Sequence, residues 1–115
     1  MKKDWIAAED RARARVVMHL VSAALDVPMA QINGDTRGHI ETAARAIAYY
    51  LLRVAYGASL GRVAAAFGRD RSTVRSACYR MEQRRDDPRF DRWIAGLEAA
   101  AAATPLPMID AESAA

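Results

Sequence analysis

The sequence has 115 residues, enough for one compact domain, and a single cysteine, which excludes an internal disulfide and a zinc site built on several cysteines. Just over half of the residues are apolar, but no apolar run approaches the ~18 residues of a membrane span. The net charge is +3, yet residues 45–85 hold nine arginines and two acidic residues, which is typical of a segment that binds a polyanion. Alanine, leucine and arginine dominate and favour helix, so we expect an all-α fold, a small helical bundle.

The first predicted helix runs from about Trp5 to Leu25, and Pro28 interrupts the pattern at a short turn. The later half of this helix has an apolar face made of Val16, Val17, Leu20, Val21 and Ala24. Residues 33–38 have the composition of a loop. The second predicted helix spans about 39–56, and apolar residues at steps of three and four give it a core stripe of Ile40, Ala44, Ile47, Leu51 and Val54.

Two shorter helices are predicted after Gly57. Ser59 is placed to cap a third helix over residues 60–67, and Gly68 closes it. Asp70 or Ser72 then caps a fourth helix that reaches about residue 85. The inward face of the fourth helix is predicted to consist of Val74, Ala77, Cys78 and Met81.

The last predicted helix begins near Pro88, and four of its side chains are expected to face inward: Phe90, Trp93, Ile94 and Leu97. From Ala99 the sequence is rich in alanine, so we expect a folded domain over 1–98 and a flexible tail over 99–115. Trp5 is most simply a core residue, and the alternative is a contact with a partner protein. The tail contains an apolar patch made of Leu106, Met108 and Ile109. This patch is either a tail without a binding role or a short segment that docks on a partner.

Residues 59–85 have the order of a helix-turn-helix, with a short helix, a tight turn and a second helix. The outward face of the second helix is predicted to carry cationic and hydroxyl side chains: Arg71, Ser72, Arg75, Ser76, Tyr79 and Arg80. An α-helix fits the major groove of DNA, where arginine can bond two guanine acceptors, and a helix N-terminus favours a phosphate. The pattern favours DNA binding, with RNA binding, partner binding and an ordinary solvated face as alternatives.

The stretch "SLGRVAAAFGRDRSTVRSACYRMEQ", residues 59–83, resembles the signature of the C-terminal DNA-binding domain (domain IV) of DnaA, the bacterial replication initiator. The matching positions are Ser59, Leu60, Phe67, Gly68, Arg69, Asp70, Ser72, Thr73, Val74 and Ala77. The resemblance implies a DnaA-like bundle that binds double-stranded DNA, with Arg45 at the position of an arginine that enters the minor groove. The predicted DNA-binding residues are Arg45, Ser59, Arg62, Arg69, Asp70, Arg71, Ser72, Thr73, Arg75, Ser76, Tyr79 and Arg80.

The sequence departs from the DnaA pattern on the base-reading surface. Arg71 and Ser76 replace histidines of the pattern, and the second glycine of the turn is missing, which shortens the turn by one residue. We therefore expect a target site that differs from the DnaA box. The motif G-x-x-x-x-G-K-[ST] is absent from the sequence, so we expect neither ATPase activity nor nucleotide binding by this chain.

We expect a sequence-specific transcription regulator that acts with RNA polymerase or a sigma-factor-like partner. Free-standing domains of this type resemble the DNA-binding part of the activators of gene transfer agents, which are phage-like particles of some bacteria. The alternatives are a replication-linked factor that binds or competes for DnaA-type origin sites and, from another class, a basic protein–protein interaction module. We expect no enzyme activity, cofactor, metal or membrane partner, and a cytoplasmic, nucleoid-associated location.

Overall fold

The computed structural model describes residues 2–35 and 37–106, with side chains from Trp5 onward, and these ranges contain six α-helices and no strand. The helices are α1 (Lys2–Leu25), α2 (Met29–Asn33), α3 (His39–Tyr56), α4 (Leu60–Phe67), α5 (Arg71–Arg84) and α6 (Pro88–Ala103). The prediction of an all-α bundle is confirmed, and the predicted short turn at Pro28 is the start of α2.

Helix α3 is the centre of the bundle, since all five other helices pack against it. Residues 46–52 of α3 are buried on every side, and Leu51 and Leu52 are completely buried. The predicted single core stripe is therefore too narrow in the middle of α3. It is wrong at Ile40, which is 60% exposed because the first turn of α3 extends beyond the helices that cover its middle.

Helix α1 packs against α3 and α4 through a row that includes Val17 and Val21, both completely buried. Ala24 lies beside this i, i+4 row and is exposed, contrary to the prediction. The predicted core role of Trp5 is also wrong, because its side chain is 70% exposed, and the neighbouring Ile6 is 41% exposed. The N-terminal end of α1 therefore presents apolar surface to solvent.

The ends of α4 are formed by the residues that the sequence predicted. The Ser59 hydroxyl accepts a hydrogen bond from the backbone N–H of Arg62 at 3.2 Å, which caps the N-terminus. Gly68 has φ 63°, a left-handed conformation that glycine adopts without a steric penalty. The N–H groups of Gly68 and Arg69 bond to the carbonyls of Ala65 and Ala64, which closes the helix. The connection to α5 consists of residues 68–70.

The end of α5 is fixed against α3 and α6 by Arg85. Its guanidinium donates hydrogen bonds to the Tyr50 hydroxyl at 3.1 Å and to the carboxylates of Asp91 and Glu98 at 2.5 and 3.2 Å. The hydrogen bonds to Tyr50 and then Asp91 raise the pKa of Arg85, so this side chain is a permanently charged link. Because Tyr50 belongs to α3 and the two acids to α6, Arg85 sets the direction of α5 relative to the core.

Helix α6 begins at Pro88, where the Asp87 carboxylate caps the N–H of Arg89, and it continues to Ala103. Of the four side chains predicted to face inward, Ile94 is completely buried and Phe90 and Leu97 are partly buried, but Trp93 is 37% exposed, so its predicted inward position is wrong. The predicted flexible tail from Ala99 is also wrong over 99–103. Alanine is the best helix former, so the alanine run extends the helix, and the small Ala101 is completely buried and accepts a hydrogen bond from the Tyr56 hydroxyl at 3.0 Å. The remainder of the tail beyond residue 106 lies outside the described residues.

Candidate nucleic-acid interface

Helix α5 has one buried face and one exposed cationic face, as the sequence predicted. The buried side chains are Val74, Ala77, Cys78 and Met81. Burial raises the pKa of the Cys78 thiol, which fits a small core side chain rather than a reactive one. The exposed residues are Arg71, Ser72, Thr73, Arg75, Ser76, Tyr79 and Arg80. This face offers arginine forks and hydroxyls to a ligand and has no acidic side chain between residues 71 and 80.

The arginines of α5 stand in pairs that repel each other in the free protein. Arg71 and Arg75 are one helical turn apart, and so are Arg80 and Arg84. Like charges at this spacing destabilise a helix by about 0.2–0.5 kcal/mol per pair. The guanidinium carbon of Arg84 lies 4.0 Å from the centroid of the Phe90 ring, a cation–π contact that orients the guanidinium while the residue remains exposed. A row of phosphates would relieve the repulsion between these side chains.

The N-terminus of α5 is open toward solvent. Asp70 is the N-cap residue by its extended backbone, and its carbonyl accepts the N–H of Val74 at 3.1 Å. Within the described part of the chain, the Asp70 side chain forms no capping hydrogen bond. The first-turn N–H groups and the exposed hydroxyls of Ser72 and Thr73 therefore form a set of donors that suits a phosphate.

Arg69 connects the turn of the helix-turn-helix to the loop between α2 and α3. Its Nη1 bonds to the Asp35 carboxylate at 2.7 Å and its Nη2 to the Gly34 carbonyl at 2.9 Å. The hydrogen bond and charge of Arg69 lower the pKa of Asp35, whose side chain is 92% exposed. Arg69 also interacts with the phenol of Tyr49, which is buried edge-on against Phe67.

Two further predicted DNA-binding arginines make contacts within the protein. Arg45 donates hydrogen bonds to the carbonyls of Ile32 and Gln31, both at 3.1 Å, and so joins α2 to α3. Arg62 forms a two-point ion pair with Asp10, with both N–O distances at 2.8 Å. DNA contact by Arg45, Arg62 and the capping residue Ser59 stays a prediction.

Asp10 is the acceptor that holds α1 against α4. It is 3% exposed and also accepts a hydrogen bond from Nη1 of Arg13 at 3.0 Å. Burial would raise the pKa of Asp10, but the hydrogen bonds and charges of Arg62 and Arg13 outweigh it and lower that pKa below its ordinary value. Arg62 is thus held on the α1 side of α4.

A basic groove between the first half of α3 and the second half of α5 was not predicted from the sequence. Its lining includes Arg37, His39, Thr42, Arg80 and Arg84. A neighbouring groove between the same two helices is lined in part by Arg45, Arg69, Thr73 and Arg80. The two grooves extend the cationic face of α5 to the start of α3. The sequence gives one indication of this groove. Arg37 and His39 lie just before and at the start of the helix predicted over residues 39–56.

The candidate partner contacts are separate features of the surface. A shallow groove between α1 and α4 is lined mainly by Ile6, Ala7, Ala65 and Ala66, next to the exposed Trp5. Leu106 is partly buried, and Met108 and Ile109 lie outside the described residues. In residues 2–35 and 37–106, no cluster of three metal-ligating side chains occurs, and no helix is both long and apolar enough to cross a membrane.

The two-helix unit with a glycine-closed turn and an exposed cationic second helix defines a helix-turn-helix DNA-binding domain. The model of the bacterial DnaA protein helix-turn-helix family matches residues 14–81, so the chain belongs to this family. The crystal structure of a DNA replication initiation factor is similar, with a TM-score of 0.75 and 29% sequence identity. The match covers 88% of this chain and 30% of that chain. The resemblance to DnaA, the bundle fold and DNA binding are thus confirmed.

Proposed function

We propose that this protein is a transcription regulator that recognises specific sites in duplex DNA through α5. The observation that carries the proposal is the exposed face of α5, which combines three arginines with four hydroxyl-bearing side chains between residues 71 and 80. Non-specific attraction to phosphates needs cations alone, whereas guanidinium forks and hydroxyls also provide directed hydrogen bonds to base edges. The combination of arginines and hydroxyl groups on α5 therefore supports recognition of a DNA sequence in addition to attraction to phosphates.

The exposed residues divide by position into two groups with different roles in this proposal. Arg71, Arg75 and Ser76 lie on the first two turns of α5, the part of a recognition helix that reaches base edges in the major groove. Arg80 and Arg84 lie on later turns beside the groove of α3, where they suit backbone phosphates. Arg71 in place of a histidine favours guanine, which supports a target other than the DnaA box.

The partner in this proposal is RNA polymerase or a sigma-factor-like protein. The exposed Trp5 and Ile6, beside the groove between α1 and α4, support a protein contact because large apolar side chains at a surface favour docking. Leu106, Met108 and Ile109 are the second candidate contact. The narrower role, an activator of gene transfer agent or other phage-like genes, rests on the sequence resemblance alone. The proposal involves no catalytic step and no cofactor.

A replication-linked function is the second candidate. The structural similarity to a DNA replication initiation factor favours it, although this chain corresponds to 30% of that protein. In this case the chain would bind or compete for DnaA-type sites near an origin. A basic protein-interaction module, the third candidate, would show little affinity for any duplex.

Genome-wide recovery of the DNA bound to the protein tests the proposal directly. A discrete set of sites upstream of genes supports a transcription regulator and identifies the genes that it controls. Sites confined to an origin region support the replication-linked candidate. Failure to recover any enriched duplex, together with recovery of an acidic protein partner, supports the interaction module.

Titration of purified protein against the best recovered duplex and a scrambled duplex gives the second test. A specific regulator is expected to prefer its site by at least ~10³-fold at physiological salt. The variant Arg71→Ala with Arg75→Ala should lose most of this preference. The matched control is Arg89→Ala with Arg92→Ala, which removes the same charge from exposed positions of α6 and should leave the preference intact. Equal loss in both variants would mean that only net charge matters.

A further inference from the structure

The ion pair between Arg69 and Asp35 lies within the basic surface that we propose to face DNA. Arg69 lines the same groove as Thr73 and Arg80 of α5, and it precedes the start of α5 by two residues. Both of its strong acceptors, the Asp35 carboxylate and the Gly34 carbonyl, belong to the loop between α2 and α3. An arginine at the turn of the helix-turn-helix is thus already bound to an anion of its own chain.

Asp35 is positioned where a phosphate oxygen of bound DNA would be attracted. Its carboxylate is exposed to solvent, and the positive charges that act on it come from Arg69, Arg45 and Arg37. These three arginines belong to the turn before α5, to α3 and to the loop before α3. An exposed acid that pairs with Arg69 within this basic surface weakens the attraction of the surface for a polyanion.

We propose that Asp35 is an internal substitute for a DNA phosphate, which holds Arg69 in the free protein and releases it to the DNA backbone on binding. The inference rests on the DNA-binding function and not on the transcriptional role. The exchange needs little rearrangement, because Asp35 is exposed and the Gly34 carbonyl still holds the other side of the guanidinium. Exposed ion pairs are weak, so a phosphate in a row of phosphates can compete with Asp35.

The exchange has a consequence for the salt dependence of binding. Each phosphate that a protein cation neutralises releases about one condensed counterion and contributes roughly −0.9 to the slope of log K against log salt. When Arg69 moves from Asp35 to a phosphate, the freed carboxylate attracts a cation from solution. A single carboxylate does not condense a whole counterion as DNA does, so the uptake at Asp35 offsets only part of the release at the phosphate, and Arg69 adds less than a full −0.9 to the slope of the parent protein.

The test is the variant Asp35→Asn, titrated with a mixed-sequence duplex of about two helical turns (~21 base pairs) over a series of salt concentrations. We expect binding about two- to five-fold tighter than that of the parent protein and a salt slope steeper by up to ~0.9. Asp35→Glu, which retains the charge, should behave like the parent protein. Asp86→Asn is the matched control, since it removes one exposed negative charge after α5, and its slope should not change.

A double-mutant cycle shows whether Asp35 acts through Arg69. In the background Arg69→Ala, the change Asp35→Asn should no longer steepen the slope. Weaker binding by Asp35→Asn would overturn the proposal, because Asp35 would then be a support that aims Arg69 at DNA. An unchanged slope, or an effect that persists without Arg69, would overturn it as well. If the parent protein binds no duplex, both the DNA-binding function and this inference are wrong.

Discussion

Replacing Asp10 with asparagine should destabilise the protein at neutral pH, because the carboxylate joins α1 to α4 as a buried anion. Asp10 receives two hydrogen bonds from Arg62 at 2.8 Å and one from Arg13 at 3.0 Å. Asparagine of the same shape retains one acceptor oxygen, but it directs an NH₂ group toward the guanidinium donors. The variant Asp10→Asn therefore loses charge complementarity without leaving a cavity.

The size of the loss in stability depends on how deeply Asp10 and its two arginine partners are buried. Removing one member of a buried ion pair costs about 3–5 kcal/mol. The side chain of Asp10 is 4% exposed, but that of Arg62 is 38% exposed and that of Arg13 22%, so both arginines can regain water. We therefore expect a loss of about 2–3 kcal/mol in the free energy of unfolding, which corresponds to a melting temperature lower by roughly 10 °C.

The destabilisation should depend on pH in a defined direction. The pKa of Asp10 is lower in the folded protein than in the unfolded chain, so the carboxylate stabilises the fold above the unfolded value of about 3.9. This contribution is lost as the pH falls through the folded pKa. The difference between the parent protein and Asp10→Asn should therefore be constant at neutral pH and shrink below about pH 4.

Urea unfolding at neutral pH and thermal unfolding between about pH 3 and 7 measure these differences. The variant Glu9→Gln is the control, since it removes only the more exposed ion pair of Glu9 with Arg13 and should cost no more than about 0.5 kcal/mol. Equal stability of Asp10→Asn and the parent protein at neutral pH would refute the reasoning. So would a difference that grows toward acid pH.

Three further outcomes follow from the helix-turn-helix. Arg75→Ala should relax the preference for one base of the selected site, with a loss of about 1–3 kcal/mol in discrimination, as measured by selection from a randomised duplex library. Gly68→Ala should lower the free energy of unfolding by about 1–2 kcal/mol, because φ is 63° at this position and only the backbone strain, not a clash of the added Cβ, opposes the change. Gly61→Ala is the control, since it adds a Cβ in equally open space inside α4 and should not destabilise in the same denaturation assay. The salt slope of duplex binding should lie between roughly −2 and −3, set by Arg80 and Arg84 at backbone phosphates with a partial contribution from Arg69, and a slope near roughly −4 would mean that Arg71 and Arg75 also neutralise phosphates.

Local patterns predicted the recognition helix well. The bounds of α3 and α4 agree with the sequence prediction because both helices end at a glycine, Gly57 or Gly68, in the left-handed conformation. The inward face of α5 depends only on the helical period and was correct at all four predicted positions. The exposed face that we propose to read DNA was therefore predictable as the other side of the same helix.

Contacts between distant parts of the chain could not be predicted in this way. Arg62 and Asp10 are 52 residues apart, and Arg69 and Asp35 are 34 residues apart. Nothing in the periodicity of either segment indicates that these side chains meet. For the same reason the sequence could not decide between a core position and an exposed partner contact for Trp5, since an aromatic residue near a helix end has the same pattern whether or not another helix covers it.

The nine arginines of residues 45–85 fall into two groups, one that forms hydrogen bonds within the protein and one that is exposed on α5. The arginines whose guanidinium groups bond to other parts of the protein are Arg45, Arg53, Arg62, Arg69 and Arg85. The exposed arginines are Arg71, Arg75, Arg80 and Arg84, and all four lie on α5. The first group fixes α1, α2, α3 and α6 around the helix-turn-helix, so that the second group is presented on a rigid helix. The net charge of the segment consequently overstates the charge that exposed arginines carry, and in the proposed function the four exposed side chains on α5 determine which duplex is bound.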